Sequence, residues 1–239
     1  MSDQGPDTLR TRLNLLVDAD DTLWENNIYF EQAFADFAEF LNHSTLTPPE
    51  VRAILDEIER ANIRVHGYGS LNFARNLREC YQRLAEHEIR DEDLATVARF
   101  AERILEAPMV LIEGVEQTLE YLAERHTLTL FTKGHPEEQK LKLDRSGLAI
   151  YFGHTAIVKE KDAASYRRIT AEQGLDPQRT WMVGNSPRSD INPALEVGMN
   201  AVLVPHPHTW ALEHEQVASP QPGRKLLQLE KFAELRDHF

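Results

Sequence analysis

The sequence predicts an α/β protein: a parallel β-sheet with helices on both faces, interrupted near its start by an all-helical insertion. Three observations carry this reading. From about residue 115 to residue 204, apolar strands alternate with amphipathic helices, the pattern of right-handed crossovers between parallel strands. The strands themselves, at 13–17, 128–131, 155–158, 180–183 and 201–204, are almost wholly apolar, as in a sheet covered on both sides. Between residues 26 and 108, by contrast, four helical periods follow one another with no strand between them.

Each element has its own warrant. Residues 1–12 are polar, contain Gly5 and Pro6, and read as a lead-in. The strand 13–17 delivers Asp18 and Asp20, and since residues two apart in a strand point to one side, their carboxylates can converge if the extended geometry persists. The plainer alternative is a polar turn that closes a buried strand. Phe30, Ala33, Phe34, Phe37, Phe40 and Leu41 recur at three and four and mark a helix. Thr47-Pro48-Pro49-Glu50 is a capping-box signature opening a second helix through Val51, Ile54, Leu55 and Ile58. After the break His66-Gly67-Tyr68-Gly69-Ser70, a third helix places Phe73, Leu77, Cys80, Tyr81 and Leu84 on one face. Leu94, Val97, Ala98, Ala101, Ile104 and Leu105 give a fourth, which Pro108 closes. The alternating half then runs helix 115–124, strand 128–131, helix 136–145, strand 155–158, a helix with Tyr166, Ile169 and Ala171, strand 180–183, helix 191–196 and strand 201–204. The tail from Pro205 reads as loops ending in a weak helix around 229–235. The chain thus divides into a core of residues 1–25 and 109–239 and an inserted helical domain of residues 26–108.

Bulk properties narrow the functional classes. A chain of 239 residues suffices for one large domain with an insertion. Its net charge of −13 argues against a nucleic-acid partner, which would require clustered Lys and Arg. No apolar run reaches the roughly 20 residues of a membrane span and no signal pattern opens the chain, so a cytoplasmic protein with no membrane partner is expected. The single Cys80 excludes an intrachain disulfide and a multi-Cys metal site. Oligomeric state is left open, a homodimer included.

In an open parallel sheet, ligands bind beyond the carboxyl ends of the strands. Those ends carry Asp18 and Asp20, then Thr132-Lys133-Gly134, then Lys159 and Lys161, and finally Gly184-Asn185-Ser186-Pro187-Arg188-Ser189-Asp190. Carboxylates, a hydroxyl and a lysine can therefore meet at one sheet edge.

This ordered set resembles the haloacid dehalogenase superfamily, most of whose members are magnesium-dependent phosphatases. Asp18-Ala19-Asp20-Asp21-Thr22 matches its Asp-Xaa-Asp-Xaa-Thr motif, and Thr132 matches the hydroxyl residue that ends a later strand. Lys161 is favoured for the motif lysine because Lys161-Asp162-Ala163-Ala164-Ser165-Tyr166 opens a helix, with Lys159 its competitor. Gly184-Asn185 through Asp190 to Gly198 matches the acidic fourth motif. The resemblance implies a Rossmann-like core and, in the helical insertion, a cap of the family's first cap class. It also implies a magnesium-dependent phosphate monoester hydrolase acting on a small phosphorylated metabolite, with Asp18 as nucleophile and Asp20 as general acid and base. Thr132, Lys133 and Lys161 would bind phosphate. Asp18, Asp20 through its backbone carbonyl, Asn185 and Asp190 would hold the metal. Family dehalogenases lack the second acid because halide leaves without protonation, so Asp20 favours phosphate-ester hydrolysis. A sugar-phosphate mutase is the alternative, followed by a non-catalytic binding protein on the same scaffold. Nucleoside monophosphates, phosphoglycolate-like acids and sugar phosphates are all candidate substrates.

Two residues depart from the family pattern. Asp21 stands where Gly is common, and Asp tolerates left-handed backbone. Asn185 replaces an Asp, which predicts weaker metal affinity. His206-Pro207-His208 reads as a loop with no metal assigned, Trp24, Trp181 and Trp210 as packing residues, and Arg188 either as a substrate contact or as a turn cap. The loop 66–70 either connects two helices or faces the core and selects the leaving group.

Overall fold

The computed structural model describes residues 12–239, so all of the expected lead-in but Arg12 lies outside the described residues. The strands β1 (Asn14–Val17), β2 (Thr127–Lys133), β3 (His154–Val158), β4 (Thr180–Gly184), β5 (Asn200–Leu203) and β6 (Leu226–Gln228) form one sheet. Its order is β3-β2-β1-β4-β5-β6, and every pairing is parallel. After β3 the chain crosses to the far side of β1, so β1 lies at the topological switch, where ligands bind in such sheets. Val17 lies level with Leu130 on one side and Val183 on the other, and Asp18 N–H extends the ladder to the Val183 carbonyl at 2.9 Å.

Strand alternation sends Leu15 and Val17 into one core and Leu16 into another. The first core packs Val115, Leu119 and Leu122 of α5 (Val115–Arg125) with Phe232 and Leu235 from the tail. The second packs Tyr166 and Ile169 of α7 (Ala163–Gln173) with Phe131, Met182, Ala194 and Met199. Helix α6 (Pro136–Ser146) follows β2 and hangs over the strand ends. The tail differs from expectation. Leu226–Gln228 is a sixth strand, and a 3₁₀ turn at Phe232–Glu234 precedes the short helix α9 (Leu235–His238). A three-residue edge strand is too short to display alternation, and only its pairing with β5 defines it.

Between β1 and α5 stand α1 (Asn27–Leu41), α2 (Pro48–His66), α3 (Ser70–Leu84) and α4 (Asp91–Glu106). Helix α2 begins at its capping-box signal. Glu50 accepts from the Thr47 backbone N–H at 2.8 Å, closing one half of the capping box that opens α2. Phe37, Leu55, Leu77, Cys80, Val97 and Ala101 are fully buried in a core that shares no member with the sheet cores. The two connections to the sheet run side by side: Glu25 N–H donates to Val110 O at 2.9 Å, and Ile112 N–H to Leu23 O at 3.0 Å.

Candidate active site

The end of β1 puts Asp18 on the sheet's central axis, where it is 7% exposed. Lys161, just before α7, reaches in from beyond β3 and donates both to Asp18 Oδ1 and to Asp190 Oδ1, the latter at 2.7 Å. Asp190 is fixed on its other oxygen by the Ser186 N–H at 2.9 Å. Gly184 allows this approach, since a Cβ there would lie 2.2 Å from Asp190 Oδ2. Burial alone would lower the Lys161 ammonium, but Asp18 and Asp190 outweigh it and raise it, so the lysine stays charged. Burial, then Asp18, push Asp190 upward against the opposing pull of Lys161. The competitor Lys159 is exposed and takes no part in this cluster.

Strand β1 ends at Val17, and the Thr22 N–H donates to the Ala19 carbonyl at 3.2 Å in a turn that contains Asp20. Asp21 adopts the left-handed conformation at φ 58°, and its carboxylate accepts from the N–H groups of Asn26 and Asn27 at 2.9 and 3.0 Å, anchoring the start of α1. The residue that departs from the common Gly thus keeps the turn and adds a helix anchor. Asp20 turns toward α6. Trp24 Nε1 donates to it at 2.8 Å, Gln139 Nε2 at 3.0 Å and Lys142 Nζ at 3.0 Å. Trp24 is buried, as a packing residue should be, and it positions a carboxylate as well.

Thr132, at 2% exposure, accepts from Gln139 Nε2 at 2.9 Å. Lys133, expected beside Thr132 as a phosphate ligand, lines the same cavity with its ammonium already engaged. Its ammonium pairs with Glu213, donates to Ser189 Oγ at 2.7 Å and lies 4.4 Å from the centre of the Tyr68 ring. Burial would raise Glu213, but Lys133 and the hydroxyls of Ser186 and Ser189 outweigh it and lower its pKa to about 2.

The donor set suits a hard divalent cation. Asn185 Nδ2 donates to Thr209 Oγ1 at 2.9 Å, which turns its carbonyl oxygen toward Thr22 Oγ1, itself bonded to Asp18 Oδ2 at 2.9 Å. One ammonium faces two buried carboxylates, so the cluster carries surplus negative charge for a cation to neutralise. A second group, Asp21, Glu25 and His206, brings ligand-capable atoms within 4.8 Å of one another. Here His206, read from sequence as loop, packs 3.4 Å from Glu25. Arg188 donates to the Leu212 carbonyl at 3.0 Å.

A cavity of about 140 Å³ opens from Asp18, Asp20, Thr132 and Lys161 toward the helical insertion, where Phe30, Arg52, Glu59, Phe73 and Asn76 line it. The loop 66–70 faces this cavity. Tyr68 OH donates to Glu160 at 2.7 Å, Tyr68 packs edge-on against Trp210, and the Ser70 N–H donates to Glu138 of α6 at 3.0 Å.

A family model of haloacid dehalogenase-like hydrolases matches residues 14–198, most of the chain and all four site segments. The chain belongs to this hydrolase family. A haloacid dehalogenase-like hydrolase from Xanthomonas campestris is similar at 27% identity, with a TM-score of 0.81 over 95% of this chain and 90% of that one. Two further structures share the fold. The magnesium-bound hydrolase YfnB from Bacillus subtilis is 18% identical at a TM-score of 0.68, over 95% of this chain and 99% of its own. A 2-haloacid dehalogenase from Pseudomonas syringae is 20% identical at 0.62, over 95% and 97%. A phosphoserine phosphatase from Thermus thermophilus is 33% identical over 82 residues, 32% of this chain and 33% of that one, so the match spans about a third of the relative's length.

Four residues that shape this hydrolase's site carry no motif signal: Trp24, Gln139, Lys142 and Glu213. Gln139 and Lys142 lie on the α6 face above the sheet, a placement that follows only from the packing of that helix. Glu213 comes from the tail, and only its buried pairing with Lys133 marks it.

Proposed function

We propose that this hydrolase cleaves phosphate monoesters of a small metabolite through a phosphorylated Asp18, with magnesium as cofactor. The observation that carries this reading is Asp20, a second carboxylate in the same cavity as Asp18, held by three side-chain donors. A halide departs without a proton, whereas an ester oxygen needs one. The partial similarity to a phosphoserine phosphatase supports the same direction.

Asp18 attacks phosphorus, the P–O ester bond breaks, and Asp20 delivers its proton to the departing oxygen. Asp20 then takes a proton from water, whose oxygen attacks phosphorus, releasing phosphate and restoring the Asp18 carboxylate. Lys161 offsets the charge that Asp18 and the phosphoryl group share, and the Thr132 hydroxyl with nearby backbone N–H groups holds phosphoryl oxygens. Asp18, Asp190, the Asn185 side-chain oxygen and the Asp20 carbonyl would hold the cation, which would supply further charge neutralisation. Lys133, engaged by Glu213, orders the loop carrying Ser189.

The test is phosphate release from p-nitrophenyl phosphate with magnesium, then with chelator, in wild type and Asp18→Asn. Release that needs magnesium and is lost in Asp18→Asn is expected. No release from any phosphate ester, or near-full activity in the variant, overturns the reading.

A further inference from the structure

The far end of the cavity has no role in the chemistry above, and its charge is unbalanced. Glu59 of α2 lines it with a side chain 7% exposed, and its Oε2 has no hydrogen-bond partner among the described residues. The nearest cation, Arg52 Nη2, is 3.6 Å from that oxygen. Arg52 is shared: its Nε donates to Asp56 at 2.8 Å, and its Nη1, 3.3 Å from Glu31, makes no hydrogen bond among the described residues. One guanidinium therefore faces three carboxylates. Phe30 and Phe73 close the same stretch of wall, edge to face at 5.2 Å.

We infer that this end of the cavity binds a cationic amine on the leaving group, with Glu59 as its counter-ion, an assignment that rests on the phosphatase reading. A neutral leaving group would leave the buried Glu59 oxygen without a donor, which costs free energy. A carboxylate there, as in a phosphoglycolate-like acid, would face a net negative wall. An ammonium satisfies the orphan oxygen and balances the charge. Burial, opposed by Arg52, pushes Glu59 up to about 7, a cost that a bound ammonium removes. The substrate class is therefore phosphorylated amines: amino-alcohol phosphates and amino-sugar phosphates.

The experiment compares ω-aminoalkyl phosphates of two to six carbons with n-alkyl phosphates of equal length, in wild type and Glu59→Gln. A preference of about tenfold or more in kcat/KM for the amine at one chain length is expected, the scale of a charge-assisted hydrogen bond. That ratio should collapse toward one in Glu59→Gln, chiefly through KM. Hydrolysis of p-nitrophenyl phosphate with no amine preference at any length overturns the inference and leaves the phosphatase reading standing. An amine preference undiminished in Glu59→Gln removes Glu59 from the assignment. If no ester is cleaved, calorimetric titration with ω-aminoalkylphosphonates and alkylphosphonates decides. Amine-selective binding lost in Glu59→Gln sustains the site, and its absence overturns it. A thermal melt of Glu59→Gln confirms folding in either case.

Discussion

Lys161 Nζ meets Asp190 Oδ1 at 2.7 Å and bonds Asp18 through the same ammonium, whereas Lys159, two residues earlier, is exposed. Removing Lys161 leaves two carboxylates buried against each other. Lys161→Met is expected to lower kcat at least ~10³-fold and destabilise the metal-free fold by about 3–5 kcal/mol. Lys159→Met should change neither by more than a few tenths of a kcal/mol. Urea denaturation and a phosphatase assay on both variants check this.

Asp20 depends on Trp24 for its orientation. Trp24→Phe keeps the buried ring and removes the 2.8 Å hydrogen bond. A fall of about tenfold in kcat with KM little changed is expected in a phosphatase assay, and an unchanged kcat would show the indole to be packing alone.

Asn185 keeps its carbonyl toward Asp18 because its amide donates to Thr209. Asn185→Asp adds a charge to the metal donors and loses that donor, while the Thr209 hydroxyl already donates to the His206 carbonyl at 2.9 Å. Magnesium affinity should rise about tenfold, with about 1–2 kcal/mol of stability lost in the metal-free protein. Magnesium titration of activity and chelated melts measure the two effects separately.

Two buried glutamates give opposite pH dependences. Glu213 is lowered from 4.5 to about 2, so its contribution is full above pH 4.5 and is lost as pH falls toward 2. Glu59 is raised from 4.5 to about 7, so stability is greatest below pH 4.5 and declines as pH rises through 7. Arg52 and Arg60 oppose that rise, while Asp56 and Glu31 reinforce it. Each shift is worth up to about 3 kcal/mol. Glu59→Gln should melt higher than wild type at pH 8 and no higher at pH 4, and Glu213→Gln should flatten the acid limb.

The strand-end motifs were legible because they sit where strictly apolar runs stop, so Asp18, Thr132, Asn185 and Asp190 could be placed on one sheet edge from periodicity alone. Lys161 and Lys159 could not be separated that way, since the turn between β3 and α7 decides which one swings inward. The Lys133 partner was not legible, because Glu213, which engages its ammonium, lies 80 residues on. Asp20 kept its place at the mouth, while Gln139 and Lys142 of α6 engage its carboxylate from a helix whose packing the sequence does not show. Strand β6 escaped notice because its identity resides in its partner.

The helices α1–α4 pack around a core with no member in common with the sheet cores, yet they supply Glu59 and Phe73 to the cavity that begins at Asp18. Chemistry and selectivity therefore answer to different mutational constraints. A substitution inside the helical core can redraw the far wall while strand register and the Lys161 triad stay as they are. Descendants of this chain could exchange one leaving group for another by drift among apolar side chains, with the bond-breaking apparatus inherited intact.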